Sequence, residues 1–142
     1  DVVSNLDFED SAKRFNIQIE GEIVISANRH LLDIAVTNIL TNAINHSGVN
    51  KPIEISVKEE STNIEISITD FGKGIPQENL NRVFERFYRV DTGRSSDQGG
   101  IGLGLAIVKK IIDVNGGSIF VESKMGSGAC FTIKLPAGTH KL

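Results

Sequence analysis

The amino-acid sequence predicts an α+β fold, a two-layer α/β sandwich in which helices cover one face of a mixed, mostly antiparallel sheet. Several short segments alternate apolar and polar residues with the period of a β-strand, and most of them form pairs separated only by turn residues. Two longer segments repeat apolar residues at spacings of three and four, the period of a helix. Because 142 residues is the size of one domain, we expect residues 1–142 to form a single domain with its core over about residues 17–136.

The first third of the chain is predicted to contain a hairpin followed by a long helix. Residues 6–15 predict a short helix or a frayed segment, and the isoleucines of residues 17–25 alternate with polar residues around Gly21, which predicts a hairpin. The helical period then extends from residue 29 to residue 45, and Asn28 stands where the N-cap is expected.

The middle of the chain predicts a second hairpin and a polar, glycine-containing region. Residues 53–59 and 64–70 alternate cleanly and form a hairpin with one apolar face. A loop over residues 71–77 leads into a short helix at about residues 78–86, and a Gly-, Ser- and Asp-rich stretch follows at residues 92–100.

The last third predicts a second long helix and a final hairpin. The helix covers about residues 103–114 and ends at Gly116 and Gly117, the residue type that terminates helices. The hairpin has its arms at residues 119–123 and 130–135.

Composition and charge exclude several classes of function. With 15 basic and 18 acidic residues, the net charge is -3, so we expect neither nucleic-acid binding nor direct membrane contact. A local excess of arginine between Arg82 and Arg94 is either a grip for a small anion or a solvated helix face. The single cysteine, Cys130, forbids an intrachain disulfide, and no apolar run reaches the ~18 residues of a membrane span. We therefore expect a cytoplasmic location.

Three asparagines on the first long helix are the first candidate site. Asn38 and Asn42 are four residues apart on one helix face, and Asn45 lies about one further turn along. Asparagine is a mediocre helix former, so such a row costs stability. Amide oxygens ligate Mg²⁺ when a substrate phosphate supplies further ligands, so the row predicts a metal site. The alternative is a helix edge exposed to water.

Asp70 is the second candidate. Strand alternation places it on the same face as Ile66 and Ile68, so its carboxylate points toward the core and requires a hydrogen-bond donor. The glycines of the following loop, Gly72 and Gly74, let the backbone approach a flat ligand. The carboxylate either binds a ligand or is held by neighbouring backbone. The Asp-Phe-Gly sequence also occurs in protein kinases, but the other kinase motifs are absent from this chain.

Alternating glycines at the start of the second long helix are the third candidate. Gly100, Gly102 and Gly104 expose consecutive backbone amides at the positive end of a helix dipole, which is phosphate-binding chemistry. Their spacing differs from that of the dinucleotide-binding fingerprint. The pattern alone is only moderately specific.

Taken together, these motifs resemble a known family. In chain order, Asn38-x-x-x-Asn42-Ala43, Asp70-x-Gly72-x-Gly74-Ile75, Phe84-Glu85-Arg86-Phe87-Tyr88-Arg89 and Gly100-x-Gly102-x-Gly104-Leu105 resemble the N, G1, F and G2 boxes of sensor histidine kinases. Gly126-x-Gly128 resembles a G3 element. The resemblance covers the chain from about Asn28 to Leu135 and implies the catalytic, ATP-binding domain of a two-component histidine kinase, with the Bergerat fold.

The resemblance implies a role for each matching residue. Asn42 would ligate Mg²⁺, Asn38 would line the same site, Asp70 would accept a hydrogen bond from the adenine amino group, and Arg89 would reach the terminal phosphate. The implied catalytic residues are Asn38, Asn42 and Arg89. The implied nucleotide-binding residues are Asn42, Asn45, His46, Asp70, Gly72, Gly74, Ile75, Arg86, Tyr88, Arg89, Gly100, Ile101, Gly102, Leu103, Gly104 and Leu105. Asn45 and His46 depart from the family, many members of which have Lys and Tyr there.

The implied reaction is transfer of the ATP γ-phosphoryl group to a histidine nitrogen. Neither His30, His46 nor His140 is followed by the residues of a phosphoacceptor motif, so the acceptor is expected on a separate dimerisation domain, with a response regulator as the indirect partner. An anti-sigma-type serine kinase is a rival, but it is not expected to carry the Phe84–Arg89 motif. A noncatalytic regulatory module is the other alternative.

Overall fold

The computed structural model describes residues 15–47, 51–86 and 104–138. The elements are β1 (Phe15–Ile19), α1 (Arg29–His46), β2 (Ile53–Glu60), β3 (Asn63–Asp70), a 3-10 turn (Gln77–Asn79), α2 (Gly104–Val114), β4 (Ser118–Lys124) and β5 (Gly128–Pro136). The expectations for residues 6–14 and 92–100 lie outside the described residues.

The strands form one five-stranded sheet in the order β1-β2-β3-β5-β4. β1 pairs with β2 in parallel, and the other three pairs are antiparallel. Both α1 and α2 pack on the same hydrophobic core as the sheet. The predicted α+β sandwich with a mixed, mostly antiparallel sheet is confirmed.

The core lies between the helices and the apolar face of the central strands. Ile64, Ile66 and Ile68 alternate along β3 and are all buried. β5 alternates in the same way. Its buried residues Phe131 and Ile133 pair with Ile68 and Ile66 of β3, respectively. This alternation fixes which side chains of β3 face the helices, including the last one, Asp70.

The predicted hairpin at residues 17–25 is wrong. β1 pairs with β2 instead, and Ile17 lies opposite Ile55. The chain then crosses the fold, and Ile25 forms a single bridge to Ala137 beyond the end of β5. Alternation reports which residues are half-buried but does not identify the partner strand, so the sequence pattern was compatible with both pairings.

The long helices begin and end close to the predicted positions. The Asn28 side chain accepts a hydrogen bond from the Leu31 backbone N–H at 2.9 Å, which confirms the predicted N-cap of α1. The chain leaves α2 through Gly116, whose φ of 78° is the left-handed conformation that glycine adopts most easily. A hydrogen bond from the backbone N–H of Asn28 to the Asn115 side chain, at 2.9 Å, joins the start of α1 to the end of α2.

The short helix predicted at residues 78–86 is only a 3-10 turn followed by further turns. Its backbone hydrogen bonds connect residues three apart, as in Arg82 to Asn79 and Glu85 to Arg82. Val83 is buried and the ring of Phe84 packs edge-on against Phe131, with 6.1 Å between ring centroids. These side chains pack against the sheet from a series of turns, in place of the predicted helix.

Candidate functional site

The row of asparagines lies along one side of α1, and Asn38 of this row is next to the start of α2. Asn38 is half-buried, and its side-chain nitrogen donates to the Ile34 carbonyl at 2.9 Å. Its side-chain oxygen faces the start of α2, because a Cβ at Gly104 would lie 3.4 Å from it. Asn42 is half-buried one turn further along, and Asn45 is exposed. Leu105 is half-buried and packs against the core.

Asp70 closes β3 on the core side of the sheet. Its side chain is buried, with 3% of the residue exposed, and it accepts a hydrogen bond from the Gly72 backbone N–H at 2.9 Å. Burial raises the pKa of the Asp70 carboxyl above its ordinary value, while hydrogen bonds from the Gly72 and Ala129 backbones and the charge of His46 act in the opposite direction. The prediction that the carboxylate points inward is confirmed.

The loop after Asp70 is enclosed by close backbone contacts that only glycine permits. A Cβ at Gly72 would overlap the carbonyl oxygen of His46, at the end of α1. Gly74 has φ of 83°, and a Cβ there would overlap the carbonyl oxygen of Lys124, at the end of β4. The loop therefore lies between the end of α1 and the β4–β5 hairpin.

The same loop is also joined to its surroundings by hydrogen bonds. The Lys51 ammonium donates to the Phe71 carbonyl at 3.1 Å, and the Gly126 backbone N–H donates to the Lys73 carbonyl at 2.8 Å. Ile75, which is half-buried, donates its backbone N–H to the Ser123 hydroxyl at 2.7 Å. These bonds define the shape of the loop on both sides of the glycines.

The structure arranges the predicted residues that it describes in two groups beside α1. Asn38 and the first residue of α2 form one group, with Asn42 one helical turn further along α1, and His46, Asp70 and the loop glycines form the other. Asn38 and His46 are eight positions apart, which is about 12 Å along the axis of α1. The first group offers amide oxygens and a helix N-terminus, which suit a cation and phosphates, and the second offers a buried carboxylate beside glycine backbone, which suits a polar flat group.

The remaining predicted site residues lie at the end of a described segment or outside the described residues. Arg86 is exposed at the end of the described segment. The other predicted residues lie outside the described residues: Tyr88, Arg89, Gly100, Ile101, Gly102 and Leu103.

Sequence reasoning missed two residues that shape the site. Ala129 lies opposite Asp70 in the sheet and supplies a backbone hydrogen bond to its carboxylate. Ser123 binds the loop through its side chain. The sequence could have indicated Ser123, because it is a polar residue on the same inward-facing side of the strand as Ile119 and Val121. Ala129 acts through its backbone and leaves no such signal.

Across residues 15–47, 51–86 and 104–138, no helix is both long and apolar enough to cross a bilayer.

Comparisons with known proteins identify the relatives of this chain. The family model described as histidine kinase-, DNA gyrase B-, and HSP90-like ATPase matches residues 27–139. The sensor-like histidine kinase SenX3 of Mycolicibacterium smegmatis is 46% identical over 106 residues, which are 75% of this chain and 28% of that protein. The signal transduction histidine-protein kinase ArlS of Staphylococcus epidermidis is 41% identical over 114 residues, which are 80% of this chain and 25% of that protein. The chain thus spans about a quarter of the length of these curated relatives.

A solved structure extends the similarity to the fold. The catalytic domain of histidine kinase ThkA, in a nucleotide-free form, superposes with a TM-score of 0.79 at 30% sequence identity, over 94% of this chain and 87% of that chain. The family match, the named relatives and the shared fold agree with the resemblance seen in the motifs. The chain belongs to the histidine kinase-, DNA gyrase B- and HSP90-like ATPase family, as a catalytic ATP-binding domain of the sensor histidine kinase type.

Proposed function

We propose that this domain binds ATP with Mg²⁺ and, in the parent protein, donates the γ-phosphoryl group to a histidine on a separate dimerisation domain. The observation that carries the proposal is the buried Asp70 carboxylate beside the glycine loop, residues 71–77. This loop contacts the C-terminal end of α1, and Asn38 of the same helix faces the start of α2. A nucleotide requires a hydrogen-bond acceptor for its base at one end of its site and positive or metal-binding groups for its phosphates at the other end.

The base would lie against Asp70, which accepts a hydrogen bond from the exocyclic amino group of adenine. Gly72 and Gly74 pack against the carbonyl oxygens of His46 and Lys124, which holds the loop beside Asp70, and Ile75 supplies apolar surface next to them. His46 interacts electrostatically with the same carboxylate. Guanine has a carbonyl group where adenine has its amino group, so this arrangement favours adenine.

The phosphates and the metal would lie at the other group. The amide oxygen of Asn42 would ligate Mg²⁺ and Asn38 would line the same site. Asn38 suits that place because its amide nitrogen is already bonded to the Ile34 carbonyl, which leaves its oxygen facing the start of α2. The backbone amides of residues 100–105 would hold the phosphates. When bound, Mg²⁺ would neutralise charge on the phosphates.

Catalysis in this proposal rests on positioning and electrostatics. Phosphoryl transfer needs the donor held in line with the attacking nitrogen and its charge neutralised, tasks that binding residues perform without a nucleophile of their own. Arg89, with Arg86 and Tyr88, would contact the terminal phosphates. An amide cannot serve as a general base, so Asn38 lines the site without activating water.

We also propose that residues 1–142 are one domain, and the family match over residues 27–139 supports this. The parent protein would supply the dimerisation domain and pass the phosphoryl group to a response regulator. The catalytic domain would act in the cytoplasm.

Labelling with γ-³²P-ATP tests the proposal. The isolated domain should bind Mg-ATP and ADP in calorimetry and remain unlabelled, whereas the parent protein should gain an acid-labile, base-stable phosphohistidine. Stable labelling of a histidine in the isolated domain would contradict an external acceptor. A parent protein that binds ATP without transferring phosphate would instead indicate a noncatalytic regulatory module.

A further inference from the structure

The glycine loop is joined to the β4–β5 hairpin through one serine, Ser123. Its hydroxyl accepts the Ile75 backbone N–H at 2.7 Å and donates to the Gly128 carbonyl at 2.6 Å. Its own backbone carbonyl accepts the side-chain amide of Gln77 at 2.7 Å. One residue of β4 therefore contacts both the loop and the first residue of β5.

The position of Ser123 in the sheet explains why a hydroxyl is required there. It follows Ile119 and Val121 on the inward face of β4, where an apolar side chain would be expected, and it is half-buried. The Ile75 N–H has no role in a strand or helix, so without the hydroxyl it would lose its partner at a site partly shielded from water. The hydroxyl satisfies this donor and the Gly128 carbonyl together.

Gly128 and Ile75 both lie next to the proposed base site. A Cβ at Gly128 would overlap the carbonyl oxygen of Asp70, so Gly128 is in direct contact with the end of β3. Ile75 directly follows Gly74, which is itself in contact with the Lys124 carbonyl. Ser123 thus connects the backbone beside Asp70 with the backbone on the far side of the loop.

We infer that Ser123 is a positioning residue for nucleotide binding: its hydroxyl holds residues 71–77 against the β4–β5 hairpin and so fixes the loop relative to the Asp70 carboxylate. This inference rests on the proposed function, because it assigns Ser123 to the base end of the same site. A loop held in one conformation avoids the ordering cost that a free loop meets when a ligand binds. The phosphate end of the site lies against a different part of α1 and does not depend on this contact.

The test compares Ser123→Ala with Ser123→Thr, which keeps the hydroxyl, and with Ser127→Ala, an exposed serine in the same hairpin. Calorimetry measures the affinity for Mg-ATP and for Mg-tripolyphosphate, which has the phosphates but no base. We expect Ser123→Ala to weaken ATP binding about tenfold, which corresponds to about 1.4 kcal/mol, and to leave tripolyphosphate binding unchanged. Ser123→Thr should retain most of the ATP affinity, and Ser127→Ala should match the wild type.

Hydrogen exchange gives a readout that does not require a nucleotide. In Ser123→Ala the Ile75 amide should exchange faster, while amides in the middle of α1 should keep their protection. Equal losses of ATP and tripolyphosphate affinity, or unchanged ATP affinity in Ser123→Ala, would overturn the inference. Absence of ATP binding by the wild type would refute the proposed function and this role with it, whereas normal wild-type binding with an unaffected Ser123→Ala would refute the role of Ser123 alone.

Discussion

Replacing Asp70 by asparagine is the most direct test of the base site. The substitution keeps the shape of the side chain and removes its charge. We expect Asp70→Asn to weaken ATP binding about ten- to a hundredfold, because a hydrogen bond to a charged group contributes about 1.5–3 kcal/mol and about 1.4 kcal/mol corresponds to a factor of ten. The variant should also discriminate less between ATP and GTP.

The surroundings of the carboxylate explain this magnitude. Asp70 receives backbone hydrogen bonds from Gly72 and Ala129, and the proposed adenine amine is a third donor. An asparagine offers one acceptor oxygen, and its amide nitrogen would face another donor. Two effects on stability oppose each other, since the variant loses a backbone partner but no longer buries a charge. We therefore expect its melting temperature to stay within a few degrees of the wild-type value.

The free energy of unfolding and the ATP affinity should depend on pH differently in the wild type and in Asp70→Asn. Because burial raises the pKa of the Asp70 carboxyl, the folded state binds this proton more tightly than the unfolded chain does. The free energy of unfolding should therefore decrease as the pH rises from the ordinary carboxyl pKa, about 3.9, to the raised value, and this group should cause no further change above it. ATP affinity should decrease as the pH is lowered through the raised pKa, since protonation removes the acceptor charge.

Asp70→Asn is the control for the wild type in this experiment. The nucleotide titrates with both proteins, whereas only the wild type has a titrating carboxyl at residue 70. Calorimetric titrations with ATP and GTP at several pH values, with melting curves for both proteins, supply the measurement. If Asp70→Asn binds ATP as well as the wild type, or keeps the same ATP-to-GTP ratio with an unchanged melting temperature, Asp70 is not the adenine-binding residue. Its carboxylate would then be a structural group held by backbone donors.

Three further substitutions test other parts of the site and fold. Asn42→Ala should weaken nucleotide binding more with Mg²⁺ than without it, and equal losses in calorimetry would contradict its role as a metal ligand. Gly128→Ala should lower the free energy of unfolding by about 1–3 kcal/mol more than Gly126→Ala in urea denaturation. Both glycines have positive φ, but only a Cβ at Gly128 would overlap the Asp70 carbonyl; similar values for the two variants would exclude a role for that contact. Asn28→Ala should cost about 1 kcal/mol of stability through loss of the α1 N-cap, and an unchanged denaturation midpoint would argue against that cap.

Local patterns in the sequence predicted much of the fold correctly. The Asn28 cap, the β2–β3 hairpin and the end of α2 at Gly116 each depend on a few neighbouring residues, so their signals are complete within a short window. The inward direction of Asp70 also followed from alternation along one strand.

Features that depend on distant partners could not be predicted in this way. β1 alternates like one arm of a hairpin, yet its partner β2 lies beyond the whole of α1. The contact between Ser123 and Ile75 joins residues 48 positions apart, and nothing near either residue indicates the other. The turns before Arg86 also involve a distant partner, because Phe84 of this segment packs on Phe131.

The register in which Asp70 pairs with Ala129 links the orientation of the Asp70 carboxylate to the packing of the hydrophobic core. A shift of β3 by one residue against its neighbours would turn the carboxylate toward the outer face of the sheet. The same shift would also expose Ile64, Ile66 and Ile68, which the core now buries. A misaligned strand is therefore penalised by the loss of the core and not only by the loss of ligand contacts. Any molecule of this protein that folds with an intact core therefore has the Asp70 carboxylate on the inner face of the sheet, where we propose that the base binds.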